Sequence, residues 1–190
     1  MTPEELWKEA VKGSQKAWEE LYTIFGTRLY QFFVKNTSNP ELAMDKSQEV
    51  FEKVFRHKDD FQTGNLKTWI FRIAKNLLID VWRRRGKAEI LSEEPAPNVP
   101  DPAVRLEEEV IQRIEKNEMV DLIDDALPKL SEDDRILIGL TYLGRLTFPE
   151  LAQVMEIPIG TAKTRVRQAR LKLDQLLMRK IHGQAEKELQ

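Results

Sequence analysis

No cysteine occurs in the 190 residues, which rules out disulfides and thiolate metal sites. Imidazoles are almost as scarce. His57 and His182 are the two histidines, and they lie too far apart in sequence to suggest a metal-binding pair. No metal and no cofactor is therefore expected. No stretch reaches the roughly eighteen consecutive apolar residues that a membrane-spanning helix needs. The opening MTPEELWKEAVKGS is acidic and amphipathic, unlike a secretory signal with its basic start and apolar centre. These absences point to a cytoplasmic chain. Internal repeats and strand-like alternation are missing as well.

What is present is a soluble, globular composition, 41% hydrophobic and 33% charged. The length suits one large domain or two small ones, each with a modest core. The net charge of −2 conceals a strong segregation. Residues 67–87 carry seven Lys or Arg against Asp80, and residues 160–180 carry seven against Asp174. Between them, residues 89–134 hold fifteen acids and four bases. Two basic patches around an acidic middle suggest two separate contacts with polyanions, although solvated helix faces would give a similar count.

Apolar residues recur at helical spacing almost throughout. Leu6, Ala10, Ala17, Leu21 and Phe25 form one such series, and Leu29, Phe32 and Phe33 continue it. SNPE at 38–41 marks a helix start, with Ser38 or Asn39 as cap and Pro40 in the first turn. That helix runs to about His57, and DDFQTGN at 59–65 is a loop by its Thr-Gly-Asn chemistry. Another helix begins near Leu66. Then SEEPAPNVPDP, residues 92–102, packs four prolines into eleven positions with acids and no aromatic, the composition of a semi-extended linker. Periodicity resumes at Met119, with Ser131 and Thr147 as further helix caps, and IHGQAEKELQ reads as a frayed tail. The expected fold is all-α: two small helical domains joined by a flexible acidic linker, the second containing a helix-turn-helix.

FPELAQVMEIPIGTAKTRVRQARLKL carries that motif. A short helix over 149–155 meets a longer one over about 161–178 through a turn holding Pro158 and Gly160. Ala162, Val166, Ala169 and Leu173 make one inward stripe. The opposite face presents Thr161, Thr164, Arg167 and Gln168, flanked by Lys163, Arg165 and Arg170. Such side chains reach base edges and phosphates when a helix enters the major groove. An αα-hairpin with a wet basic face is the plain alternative.

The helix WIFRIAKNLLIDVWRRRGK, residues 69–87, is less ordinary. Ile70, Ile73, Ala74, Leu77 and Val81 fall on one side with Phe71, Leu78 and Trp82 beside them, a broad core arc. The narrow remaining stripe collects Trp69, Arg72, Asn76, Asp80 and Arg83. An aromatic, two arginines, an amide and a carboxylate can stack on bases, hold phosphates and bond base edges. The preceding loop adds Phe61 and Asn65, and Arg84 extends the basic tail. A capped helix with Trp69 simply buried would explain part of the same pattern.

Four segments occur in a telling order: KAWEELYTIFGTRLYQFF, NPELAMDKSQEVFEKVF, LKTWIFRIAKNLLIDVWRRR and LTFPELAQVMEIPIGTAKTRVRQARLKL. Together they resemble the bacterial RNA polymerase sigma factors of the sigma-70 family, in particular the small extracytoplasmic-function class. The resemblance covers roughly residues 5–92 and 119–180. It implies a sigma domain 2 over 1–91, a linker over 92–118 and a sigma domain 4 over 119–182. In DKSQEVF, it implies that Asp45, Gln48, Glu49 and nearby Glu52 dock on the clamp helices of the polymerase's largest subunit, while Val50, Phe51 and Val54 stay in the core. The loop 59–67 and the helix from Trp69 match the part that opens the −10 element, with Asn76 and Asp80 where a flipped non-template base is read. Phe61, Asn65, Trp69, Arg72, Arg83 and Arg84 would line that melted strand. Lys163, Thr164, Arg167 and Gln168 match readers of the −35 element as duplex, Arg167 at a position that varies and helps set promoter choice, with Thr161, Arg165 and Arg170 around them.

The implied partners are RNA polymerase core and promoter DNA, with room for an anti-sigma protein that would clasp the two domains. The two elements lie about seventeen base pairs, or roughly 60 Å, apart. A linker of about thirty residues extends to roughly 100 Å, so one copy can reach both. Two rival readings remain at this level. A helix-turn-helix repressor or activator would usually dimerise on a palindrome, and no dimer helix is evident. An enzyme could use acids such as Glu107, Glu108 and Glu109 or Asp124 and Asp125, but these lack histidine support. No catalytic residue is assigned.

Overall fold

A computed structural model describes residues 1–61, 64–91 and 123–188, apart from the side chains of 87–91 and 181–188. The linker expected over 92–118 lies outside the described residues. Helix α1 spans Pro3–Val11, where Thr2 and Glu5 cap each other's backbone N–H groups. Helix α2, Gln15–Thr37, starts at Ser14 and ends on Ser38 in the left-handed region. Helix α3, Pro40–Arg56, is capped by Asn39, whose side chain accepts the Leu42 N–H at 2.9 Å. A single 3₁₀ turn, Lys58–Asp60, leads toward α4, Leu66–Leu91. Asn65 caps α4 by accepting the Thr68 N–H at 2.9 Å.

The C-terminal group opens with a 3₁₀ turn at Leu127–Lys129. Helix α5, Glu132–Ile138, follows with Ser131 as cap, and a π-helical turn spans Gly139–Leu143. Helix α6, Phe148–Met155, begins where Glu150 Oε2 accepts the Thr147 N–H at 2.7 Å. Helix α7 runs Ile159–Glu188, starting earlier and ending later than the sequence pattern suggests. Pro158 is its cap, since the Pro158 carbonyl accepts the Ala162 N–H, so Gly160 is already helical. The turn is made instead by Glu156, held left-handed at φ 56°. The segment read as a frayed tail continues the helical backbone to Glu188.

Charge segregation and the proline-rich tether suggest two independent domains, yet the two groups of helices are packed together. Leu146, Leu151 and Val154 join Phe32, Phe71 and Leu78 in one continuous core. Close approach is possible because two small residues stand at the seam. A Cβ on Gly139 would come 3.0 Å from Phe32 Cδ2 and 3.1 Å from Asn36 Nδ2 on α2. A Cβ on Gly144 would meet Phe71 on α4 at 3.1 Å and its own Leu140 carbonyl at 2.7 Å. Farther along the seam the Arg135 guanidinium lies 4.8 Å from the Trp82 ring centroid. Burial and the nearby Arg85 charge lower its pKa, although Glu132 opposes them. Each apolar side chain buried here stabilises the docked form by about 1.5–3 kcal/mol before ordering costs.

Candidate nucleic-acid and polymerase interfaces

Three surfaces collect the residues singled out by the sequence. The first is α3. Asp45, Gln48 and Glu52 are exposed, at intervals of three and four that line them along one face. Glu49 is turned further inward: Lys46 approaches it at 2.7 Å and Lys53 at 3.6 Å. Lys46 also pairs with Asp45 at 2.9 Å. The Glu49 hydrogen bond, then Asp45, raise the Lys46 pKa above its ordinary value against the cost of burial. Val50 and Val54 are fully buried and Phe51 is partly so.

The second surface is α7. Ala162, Val166 and Ala169 are buried against the rest of the C-terminal group, with Leu173 partly buried. Lys163, Thr164, Arg165, Arg167, Gln168 and Arg170 are exposed, while Thr161 is half-buried. Thr164 donates its hydroxyl to the Gly160 carbonyl, and Lys163 lies 5.9 Å from the Phe148 ring centroid. The result is an open, cationic helix face with an amide and hydroxyls, able to meet duplex phosphates and base edges.

The third surface is the stripe on α4, where residues that the spacing groups find different partners. Trp69 is half-buried in an aromatic cluster, 5.5 Å from Trp7 and 5.2 Å from Phe61 between centroids. Trp7, on α1, is the support that sequence reasoning missed; its helical spacing with Leu6 and Ala10 reads only as core. Arg72 donates to the Gln153 carbonyl at 3.1 Å, and Asn65 donates to Glu150 at 2.8 Å. Asn76 is exposed. Asp80 accepts from Arg83 at 2.9 Å, and Arg84 projects into solvent.

Two further cations were also missed. Lys67 pairs with Glu150 at 2.8 Å, both side chains largely covered at 22% and 13% exposure. Lys75 donates to the Val154 carbonyl at 2.9 Å. The start of α6 thus offers a carboxylate, and its end offers free carbonyls, to the basic side of α4. Burial pushes the Glu150 carboxyl up, but Lys67 and the Thr147 N–H together outweigh it, so its pKa lies below the usual value.

The helices that carry these surfaces fall within regions shared with known proteins. Residues 21–88 match Sigma-70 region 2, and residues 121–173 match Sigma-70, region 4. The extracytoplasmic-function (ECF) RNA polymerase sigma factor RpoE of Cereibacter sphaeroides is 32% identical over 166 residues, 85% of each chain. The chain belongs to the ECF RNA polymerase sigma factors. Like them, this sigma factor is a transcription initiation protein that binds RNA polymerase and directs it to promoters. The ECF sigma factor SigW of Bacillus subtilis is 29% identical over 172 residues, covering 86% of this chain and 90% of that one. Among solved structures, the sigma factor RpoE in complex with the anti-sigma factor NepR from Bartonella quintana aligns with a TM-score of 0.66 and 27% identity. That alignment covers 86% of this sigma factor and 98% of the Bartonella chain. CnrH, in complex with the cytosolic domain of CnrY, shares the fold at a TM-score of 0.65 and 24% identity, over 90% and 94% of the two chains. No described helix is long and apolar enough to cross a membrane.

Proposed function

We propose that residues 1–91 of this sigma factor dock on polymerase and read the melted −10 element, while residues 119–182 read the −35 element as duplex. The observation that carries this is the outward face of α7, on which Lys163, Arg167 and Gln168 are exposed opposite the buried Ala162, Val166 and Ala169. Arg167 and Gln168 supply base-edge donors, and Lys163, Arg165 and Arg170 supply phosphate attraction. On α4, Asn76 provides a donor and an acceptor and Asp80 provides acceptors for an extruded base, with Arg72, Arg83 and Arg84 along the backbone path. Phe61 and Trp69, standing on Trp7, complete the strand's site together with Asn65 once Asn65 is released from Glu150. Asp45, Gln48, Glu49 and Glu52 meet the clamp helices of the largest polymerase subunit.

The factor acts in the cytoplasm and contributes no catalytic chemistry; bond formation belongs to the polymerase. An anti-sigma protein is a further partner, in keeping with the solved relative bound to one. The test is a selection of random promoters by reconstituted holoenzyme, sequenced with the parent and with Arg167→Ala and Asn76→Ala. Shifts confined to the upstream element for Arg167→Ala and to the downstream element for Asn76→Ala are expected. Identical preferences in all three would refute the assignment.

A further inference from the structure

Helix α1 carries none of the residues assigned to DNA or polymerase, and it lies ahead of the family match that begins at residue 21. Two of its side chains nevertheless reach the face assigned to the −10 strand. Glu4 Oε1 accepts the Leu66 N–H at 3.2 Å, one of the first-turn donors of α4 that no helical carbonyl can reach. Trp7, 5% exposed, stands nearly perpendicular to two site rings, 5.6 Å from Phe61 at 86° and 5.5 Å from Trp69 at 74°. Trp18 backs it at 5.4 Å and donates its indole N–H to the Ala10 carbonyl at 3.0 Å, which anchors the end of α1.

Phe61 and Trp69 lie 5.2 Å apart with 31° between their planes, a nearly parallel pair that is only half-buried. A base stacks on such a pair at full strength only if the rings hold their planes before it arrives. A ring that must be ordered on each capture gives that gain back. Trp7 supplies the hold, because rings packed edge to face against one buried indole cannot turn without losing those contacts. An aliphatic residue would fill the space without offering a flat wall. We propose that Trp7 is a positioning residue for −10 recognition: it acts through Phe61 and Trp69, while Glu4 fixes where α4 begins. Resting on the reading of the α4 stripe as the −10 face, this role makes α1 part of the apparatus that sets base preference.

The test is made on reconstituted holoenzyme carrying the full-length chain. Promoter opening is followed by fluorescence on a preferred template and on templates with single −10 substitutions, which gives rate and base discrimination together. Trp7→Leu keeps an apolar core residue but removes the flat ring, and Trp7→Phe restores a smaller ring. Phe61→Ala with Trp69→Ala, alone and combined with Trp7→Leu, reveals whether Trp7 acts through those two neighbours. Circular dichroism melts and binding to a duplex carrying only the −35 element report folding and the other DNA face.

Trp7→Leu is expected to slow opening by about tenfold, the scale set by losing two aromatic pairs. It should also flatten −10 discrimination while −35 duplex binding stays unchanged, and Trp7→Phe should recover most of both losses. Once Phe61 and Trp69 are alanines, Trp7→Leu should cost no further opening although it still lowers Tm, a separation that lost stability alone cannot produce. Three results overturn this role: a folded Trp7→Leu that opens and discriminates like the parent, a Trp7→Phe no better than Trp7→Leu, or equal slowing by Trp7→Leu with and without the two rings. Should Trp7→Leu fail to fold, Trp7→Met, flexible enough to fill the gap without a plane, decides in its place. The −10 reading fails separately. Parent-like opening by the Phe61→Ala and Trp69→Ala double variant removes the strand site itself, whereas a defective double variant beside an inert Trp7→Leu removes only the role of Trp7.

Discussion

Asn76→Ala separates a base reader from a structural residue, because the two roles move stability in opposite directions. Asn76 lies in the middle of α4 with its side chain exposed. Asparagine is a poorer helix former than alanine by about 0.6 kcal/mol, so truncation should stabilise the free chain slightly. For a protein of this size that amounts to roughly +1 to +2 °C in Tm. A base contact of the bidentate kind is worth roughly 1–3 kcal/mol, so open-complex formation by the reconstituted holoenzyme should fall about 5- to 150-fold. Binding to a duplex carrying only the −35 element should persist. The assays are a circular dichroism melt of the free protein and a fluorescence assay of promoter melting. A Tm loss of several degrees would mean that Asn76 is structural. An unchanged or raised Tm with promoter melting within twofold of the parent would mean that it reads nothing.

Alanine at Asp45, Gln48 and Glu49 together should weaken co-elution with polymerase core while leaving the melt nearly unchanged, since the ion pairs lost are surface pairs worth at most about 1 kcal/mol each. Unchanged co-elution would remove the assignment of that face. Arg167→Ala should alter preference among −35 sequences, whereas Arg179→Ala, near the end of the described basic stretch of α7, should at most weaken all sequences alike, as a gel-shift series across salt concentrations would report. The Glu150 carboxyl has a depressed pKa in the docked form. Its contribution is therefore fully present above the ordinary carboxylate value of 4.5 and lost as the pH falls through the lower docked value. Energy transfer across the seam, between dyes on cysteines introduced at the exposed Thr27 and Gln175, should weaken over that acid range in the parent, and Glu150→Gln should lack this component; identical acid profiles would show that Glu150 does not hold the seam.

Much of the fold was legible because capping and periodicity are local. Asn39, Ser131 and Thr147 each start the helix expected of them, and the arc of Ile70, Ala74, Leu77 and Val81 is buried as its spacing requires. The docking of the two groups was not legible, because a stripe such as Leu151 and Val154 announces that it will be buried without saying against what. The signal in hindsight is the pair Gly139 and Gly144, flexible residues in an otherwise apolar helical stretch, which here permit close approach to Phe32 and Phe71. Turn propensity alone puts the turn of the helix-turn-helix one step late for a related reason. Pro158 and Gly160 are strong turn residues, yet Glu156 takes the left-handed conformation and Pro158 caps the next helix. On α4, the spacing grouped Trp69, Arg72, Asn76 and Asp80 correctly on one stripe, but only three dimensions reveal that Trp7 and α6 already occupy part of it.

The most direct test of the central claim is transcription from a random-promoter library by purified bacterial core polymerase, with and without this sigma factor. Added sigma factor should enrich templates carrying two short conserved elements about seventeen base pairs apart, the upstream one lost as a preference in Arg167→Ala and the downstream one in Asn76→Ala. If core polymerase with the added chain selects no template over core polymerase alone, the chain is not directing promoter choice through these two faces.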